Sequence, residues 1–191
     1  MKIDKVSKEL DQVFDKLLCL FDSDEIKQSL KKKAYFAGGC IYCLANDKKV
    51  NDYDIFLDDN ELIEKLKNLP LWKCKTEYAL SYGKYQIVTK YFGDPLSCVG
   101  QFDFKHNMFF YRPYSGNVGK ACYSFKILHT DTLLFNKKRA RDIEGVYLRI
   151  QKFRDRGFIV PKELEKSILK RTTATKIKKY KRNKYKNRNF Y

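Results

Sequence analysis

Apolar positions recur at helical spacing near the start of the chain. Between residues 4 and 21, Val6, Leu10, Val13, Phe14, Leu17, Leu18 and Phe21 share one side of a helix, so the pattern predicts an amphipathic helix with a single buried face. Asp22, Ser23 and Asp24 offer N-cap oxygens for a second helix, which closes on Lys31, Lys32 and Lys33; positive charge in a last turn complements the helix dipole. The apolar run Ala34–Ala37 stops at Gly38 and Gly39 and reads as a short buried strand. A helix over about 40–46 follows, then a strand over 52–57. Asp58, Asp59 and Asn60 cap a helix that passes through Leu62, Ile63 and Leu66 and ends before Pro70.

Strand signals come next at 72–78 and 85–92, joined by a turn near 81–84. Asp94-Pro95 opens a short turn or helix, and 99–104 reads as a further strand. Beyond a loop holding Pro113, Gly116 and Gly119, residues 123–128 form an edge strand in this reading. Strands alternating with helices and then following one another predict an α/β fold with a mixed sheet flanked by helices. From 136 to 156 the chain turns helical and basic, with Gly145 as a weak point and a break at Gly157. An amphipathic helix over 161–171 has Pro161 in its first turn. Residues 172–191 hold eight basic side chains, no acidic one, and Tyr180, Tyr185, Phe190 and Tyr191. The expected organisation is therefore N-terminal helices over 1–33, an α/β core over 34–128, a basic helical C-terminal region over 129–171, and a basic aromatic tail over 172–191.

Composition adds a direction to this picture. The 191 residues are 43% hydrophobic and 15% aromatic, enough for a real core, which excludes global disorder. Lys and Arg number 40 against 23 Asp and Glu, a formal charge of +17. Such a surplus favours a polyanionic partner, because every neutralised phosphate releases counterions. The charged N-terminus does not read as a secretory signal, and no stretch approaches the roughly 20 apolar residues of a membrane span. Six cysteines then read as reduced thiols, and the expected location is the cytoplasm without membrane attachment. The oligomeric state has no signature here.

The chemistry concentrates between residues 34 and 105. A strand running into Gly38-Gly39 and then a helix lets backbone amides approach phosphate oxygens closely, at the favourable end of the helix dipole. Asp52 and Asp54 lie two apart on the next predicted strand, so their carboxylates share a face. Two carboxylates held together repel one another unless a cation sits between them, and Mg²⁺ suits oxygen ligands and substrate phosphates. Asp103, between Phe102 and Phe104, is the candidate third ligand for a two-metal site, because an Asp within an apolar strand rarely faces a core unpaired.

In order and spacing, Gly38-Gly39, Asp52, Asp54 and Asp103 resemble the DNA polymerase beta-like nucleotidyltransferase superfamily. The resemblance implies a nucleotidyltransferase-like fold and two Mg²⁺ or Mn²⁺ ions. Asp52 and Asp54 would bind both ions, and Asp103 the one that activates the acceptor hydroxyl. An NMP would pass from an NTP such as ATP to that hydroxyl, with loss of pyrophosphate. Cys40 stands where the superfamily commonly has Ser, and a thiol is the weaker donor. The Arg-Asp pair that follows the glycines in CCA-adding enzymes is absent.

Other residues have plainer readings. Asp58 shares the parity of Asp52 and Asp54 but lies at the strand's end, which suits a helix cap better than an auxiliary ligand. Cys40 and Cys43 form a C-x-x-C pair without a second pair at ligand spacing, and the cysteines read as buried small residues. His106 and His129 are too few and too separate for acid–base or metal chemistry. Arg149, Lys152 and Arg156 fall on one side of a helix, with Phe153 marking the edge of a buried face; contact with triphosphate or RNA weighs evenly against a solvated face. Arg139 and Arg141 belong to the same basic stretch. In the tail, Lys176, Lys178, Lys179, Arg182 and Tyr185 combine cations with a stacking ring, as single-stranded RNA requires, although a solubilising tail has the same composition. RNA, with a tRNA 3′ end as one instance, is the preferred acceptor. The alternatives are a protein side chain, as in toxin–antitoxin nucleotidyltransferases, and a non-catalytic nucleic-acid-binding module that keeps the fold.

Overall fold

The computed structural model describes residues 3–90, 93–137 and 143–172. In chain order these form α1 (Ile3–Leu18), α2 (Asp24–Lys33), β1 (Ala34–Ala37), α3 (Gly39–Ala45), β2 (Tyr53–Leu57), α4 (Asn60–Lys67), β3 (Cys74–Lys75), β4 (Ala79–Tyr82) and β5 (Tyr85–Val88). Then come α5 (Pro95–Val99), a 3₁₀ turn at Lys105–Asn107, β6 (Phe109–Tyr111), β7 (Val118–Lys120), a second 3₁₀ turn at Phe125–His129, α6 (Ile143–Asp155) and a helix over 162–172, here α7. The chain divides into two compact units, Met1–His129 and Thr130–Tyr191.

In the first unit seven strands form one sheet in the order β3-β4-β5-β2-β1-β6-β7. Only the β2–β5 pair is parallel, and every other pairing is antiparallel. This is the mixed sheet flanked by helices expected from the sequence. The central strands β1 and β2 are apolar because both of their faces are covered. On one face Phe14 of α1 meets Phe36 edge-on at 6.1 Å, and Val6, Leu10 and Leu17 are buried with it. On the other face Tyr35 stacks on Phe56 at 5.5 Å within a cluster that includes Ala37, Cys98 and Val99.

The helix starts follow local chemistry. Ser23 caps α2 by accepting from Ile26 N, Asp59 caps α4 by accepting from Leu62 N at 3.0 Å, and Asp94 caps α5 by accepting from Ser97 N at 2.8 Å. The cap of α4 is thus Asp59, and Asp58 instead pairs with Arg112 at 3.2 Å.

The later strands depart from the sequence reading. Residues 99–104 are not a strand: Asp94 and Pro95 start a helix that absorbs Leu96, Cys98 and Val99, and Gly100 ends it. The strand beside β1 is β6, which pairs Phe36 with Tyr111 and Ala37 with Phe110. Residues 123–128 are not an edge strand either, since Phe125–His129 is a 3₁₀ turn and β7 holds the edge. At β7, Gly119 leaves room for the Phe110 ring, which a Cβ at 119 would meet at 2.2 Å. The single strand expected over 72–78 is replaced by β3 and β4, so β4 occupies part of the expected 81–84 turn. Β5 covers the first half of the expected 85–92 strand.

The cysteines are all free, but they are not uniformly buried: Cys40 and Cys98 are buried, Cys43 and Cys122 half-buried, and Cys19 and Cys74 exposed. No helix among the described residues is long and apolar enough to cross a membrane.

The second unit is built on α6 and α7. Val146, Ile150 and Phe153 are the buried side of α6, and the Phe153 ring meets Phe158 edge-on at 5.0 Å. The chain turns after α6 at Gly157, with φ +84°, a conformation that suits glycine. Residues 131–133 bridge to Ile159, and Arg154 pairs with Glu165 of α7 at 2.9 Å. Of the expected basic helix over 136–156, the described helical part is α6; Arg139 and Arg141 lie outside the described residues, as do the tail positions Lys176, Lys178, Lys179, Arg182 and Tyr185.

Candidate active site

Gly38 is where β1 hands over to α3. Its φ of +86° and ψ of −143° belong to a region that L side chains avoid, so the sharp turn requires glycine. A second constraint is spatial: a Cβ at 38 would lie 3.4 Å from Asp54 Oδ2 and 4.0 Å from Phe102 Cε2. The Asp54 carboxylate therefore sits against the glycine turn. At Gly39 a Cβ would meet nothing within 4 Å, so this peptide faces open space.

Asp54 lies on β2, half-buried, opposite Gln86 of the parallel strand β5. Asp52 precedes the strand by one residue and is exposed. Its segment is tied down by Tyr53 N, which donates to Lys84 O at 2.8 Å, and by Lys84 Nζ, which donates to Val50 O at 3.2 Å. Tyr53 itself points to the α1 side, where its ring meets Phe36 at 6.3 Å. Side chains alternate along a strand, so Asp54, Phe56 and Asp58 face the other way.

Asp103 lies on the link between α5 and the first 3₁₀ turn rather than on a strand; it is half-buried, with Oδ1 inside the protein. Its neighbour Phe102 packs against Phe56 at 5.7 Å and approaches Gly38. The backbone before Asp103 thus crosses the sheet face that carries Asp54. Among the described residues no three His, Cys, Asp or Glu side chains gather closely enough to form a ready-made metal cage. The donor chemistry still fits Mg²⁺, which takes one or two carboxylates and completes its shell with water and substrate phosphates.

Cys40 is turned inward. Its thiol donates to Ala37 O at 3.6 Å, and burial, with the Asp54 charge as a smaller cause, pushes its pKa well above the usual thiol value. The side chain at this position therefore serves the interior. Of the three candidate basic residues of the second unit, Lys152 on α6 and Arg156 in the turn just after it are exposed, and Arg149 on α6 is half-buried with Nε inside the protein. His106 is fully buried, edge-on to Tyr42 of α3 at 5.6 Å, which makes it a core residue.

One residue on this face had no sequence signal. Arg112 lies over the Tyr35 ring at 5.7 Å and pairs with Asp58. A lone Arg before Pro113 carries no periodicity, and its partner is 54 positions away. Asp94, which caps α5, has its pKa lowered by the Ser97 backbone amide.

The sequence profile of the Gabija anti-defense 2 family protein matches residues 7–139. No curated protein matches the chain. Solved structures do match it in fold. A Thermotoga maritima CCA-adding enzyme complexed with tRNA is 18% identical with a TM-score of 0.56, covering 82% of this chain and 44% of its own. A Bacillus stearothermophilus CCA-adding enzyme in complex with CTP is 16% identical with a TM-score of 0.58, covering 74% and 40%. A tRNA nucleotidyltransferase complexed with a primer tRNA and an incoming ATP analog is 18% identical with a TM-score of 0.53, covering 78% and 50%. The chain spans half or less of the length of these proteins, and identities this low establish a shared fold alone.

Proposed function

The chain belongs to the Gabija anti-defense 2 family, and on that premise we propose that it counters Gabija defence as a metal-dependent nucleotidyltransferase, moving an NMP from an NTP to a hydroxyl of RNA. One observation carries the reading: the Asp54 carboxylate lies against the Gly38 turn, beside the open side of Gly39. Asp52 and Asp54, with Asp103 as the third ligand, would hold Mg²⁺ or Mn²⁺, and the ions would neutralise charge developing on the transferring phosphate. Gly38 and Gly39 let the triphosphate approach the backbone. The acceptor oxygen bonds to the α-phosphorus, the bond to pyrophosphate breaks, and the hydroxyl proton passes to solvent.

RNA is favoured by the charge of +17 and by the tRNA bound to similar folds. Arg149, Lys152 and Arg156 would contact triphosphate or RNA, and Lys176, Lys178, Lys179, Arg182 and Tyr185 would hold the RNA backbone and a base. Truncation after Arg171 should then weaken RNA binding and flatten its salt dependence; unchanged affinity and slope would reduce the tail to a solubilising extension.

The family description favours a second acceptor, a hydroxyl side chain of a Gabija protein. Incubation with each labelled NTP, Mg²⁺ or Mn²⁺, cellular RNA and Gabija proteins separates the two by where the label lands. Label on neither, together with an Asp54→Asn variant that still overcomes Gabija defence in cells, would refute nucleotidyl transfer.

A further inference from the structure

Two residues beyond Asp103 the surface changes character. Lys105 Nζ lies 4.6 Å from the centre of the Tyr123 ring, and Lys120 Nζ lies 5.4 Å from that of Phe125. Tyr123 is 71% exposed, more than any other large apolar side chain among the described residues. A ring that exposed contributes little to a core, while the lysine beside it holds a positive charge against its π-face.

The segment leading to this patch shares a buried cluster with the candidate active site. Phe102 and Ala121 pack on the same buried cluster of Tyr35, Phe56, Cys98 and Val99. A Cβ at Gly100 would lie 3.9 Å from Ala121 Cβ, and Ala121 N donates to Met108 O at 2.9 Å. Tyr123 is two residues from Ala121, and Lys105 two from Asp103, so short stretches of chain tie the patch to the segment that carries Asp103.

We propose that Tyr123, with Lys105 and Lys120, is the platform on which the single-stranded end of an RNA acceptor docks. A base stacks on the exposed Tyr123 ring, and the adjoining phosphates meet the two ammonium groups. Bases present flat π-faces flanked by phosphates, and an aromatic ring beside two cations complements that alternation without reading sequence. The proposal rests on the reading of the site as an RNA nucleotidyltransferase and specifies how its acceptor is held.

The test uses the full chain, a fluorescein-labelled 12-nucleotide single-stranded RNA and the matching duplex, in EDTA without NTP. Tyr123→Ala should weaken single-strand binding about tenfold and leave the duplex unchanged, whereas Tyr123→Phe should bind as the parent does. Lys105→Gln should lower the salt slope by about 0.7. The Tyr123→Ala deficit should persist at high salt, where electrostatic contributions from the rest of the chain fade. Ultraviolet crosslinking of a 5-bromouridine RNA should mark the tryptic peptide 121–126. An unchanged single-strand affinity in Tyr123→Ala, an equal loss on duplex, or crosslinks confined to other peptides would overturn the platform. Because metal and nucleotide are absent, failure of nucleotidyl transfer would leave these readouts intact. Label landing on a protein at a rate indifferent to Tyr123→Ala would reject the RNA platform and keep the chemistry.

Discussion

Two pairs of aspartates in the first unit show how little the local sequence says about a carboxylate's task. Asp11 and Asp15 are four apart on α1, and Asp52 and Asp54 are two apart at the start of β2. Asp11 accepts from the Tyr111 hydroxyl at 2.9 and 3.0 Å and from Tyr114 N at 2.7 Å, while Asp15 accepts from the Tyr114 hydroxyl at 2.7 Å. These bonds, together with Ser7 Oγ donating to Gly116 O at 3.2 Å, pin the β6–β7 turn to α1. Across from Asp54 stands a glycine turn, with no side chain at 38 to come between carboxylate and backbone. The first pair faces hydroxyls and an amide and holds the fold together. In the second pair, Asp54 lies against the Gly38 turn beside the open side of Gly39, the arrangement a nucleotide and its cations would need. What lies opposite decides the role.

The sharpest way to break the comparison is to neutralise one member of the second pair. Asp54→Asn should reduce nucleotidyl transfer on the order of a thousandfold, equivalent to about 4 kcal/mol of transition-state stabilisation. Metal-free thermal melting should stay unchanged or rise slightly, because a charge repulsion is relieved. Full transfer by this variant at ordinary Mg²⁺ concentration would end the catalytic assignment.

Gly38→Ala tests the turn opposite Asp54. The left-handed φ and the 3.4 Å approach to Oδ2 should cost about 1–3 kcal/mol in urea unfolding. Gly39→Ala, which meets open space, should leave stability within about 0.5 kcal/mol of the parent, while its methyl group would obstruct a triphosphate bound as proposed. Equal stability losses in the two variants would contradict the geometry.

Asp11→Ala probes the structural pair. Leaving the buried Tyr111 hydroxyl and Tyr114 N without their acceptor should cost about 1–3 kcal/mol of stability. Transfer by the folded protein should be unaffected. A selective loss of turnover without a loss of stability would mean that the two pairs are not divided as argued.

The smallest effect is in alkali. Burial, and then the Asp11 hydrogen bond, raise the Tyr111 pKa to about 12. A phenol whose folded pKa exceeds its unfolded value near 10 contributes stability that is complete below pH 10 and disappears as pH climbs towards 12. Urea midpoints of the parent should fall across that window, and Tyr111→Phe should flatten the fall. An identical pH profile in the variant would assign alkaline sensitivity elsewhere.

Much of the framework was legible in the sequence because its causes are local. The stripe from Val6 to Phe21, the oxygens of Ser23 and Asp94 before their helices, the apolar run ended by Gly38, and the strand that carries Asp54 all act within a few residues of themselves. Caps, periodicity and positive φ are short-range physics, and they sufficed for α1 through α4, the two central strands and the glycine turn beside β2. Only the tertiary structure decided the rest. Short apolar runs suit helix or strand equally, so 99–104 became the end of α5 and a link once β6 had taken the edge of β1. Asp58 passed its cap to Asp59 because Arg112, remote in sequence, reached it across the sheet. The Cys40 thiol turned to Ala37 O because its side of α3 is buried. Tyr123 met Lys105 only when the chain after β7 folded back beside Gly100. Each of these outcomes depends on which distant segment fills the neighbouring space, and that is settled by burial and pairing across the whole unit.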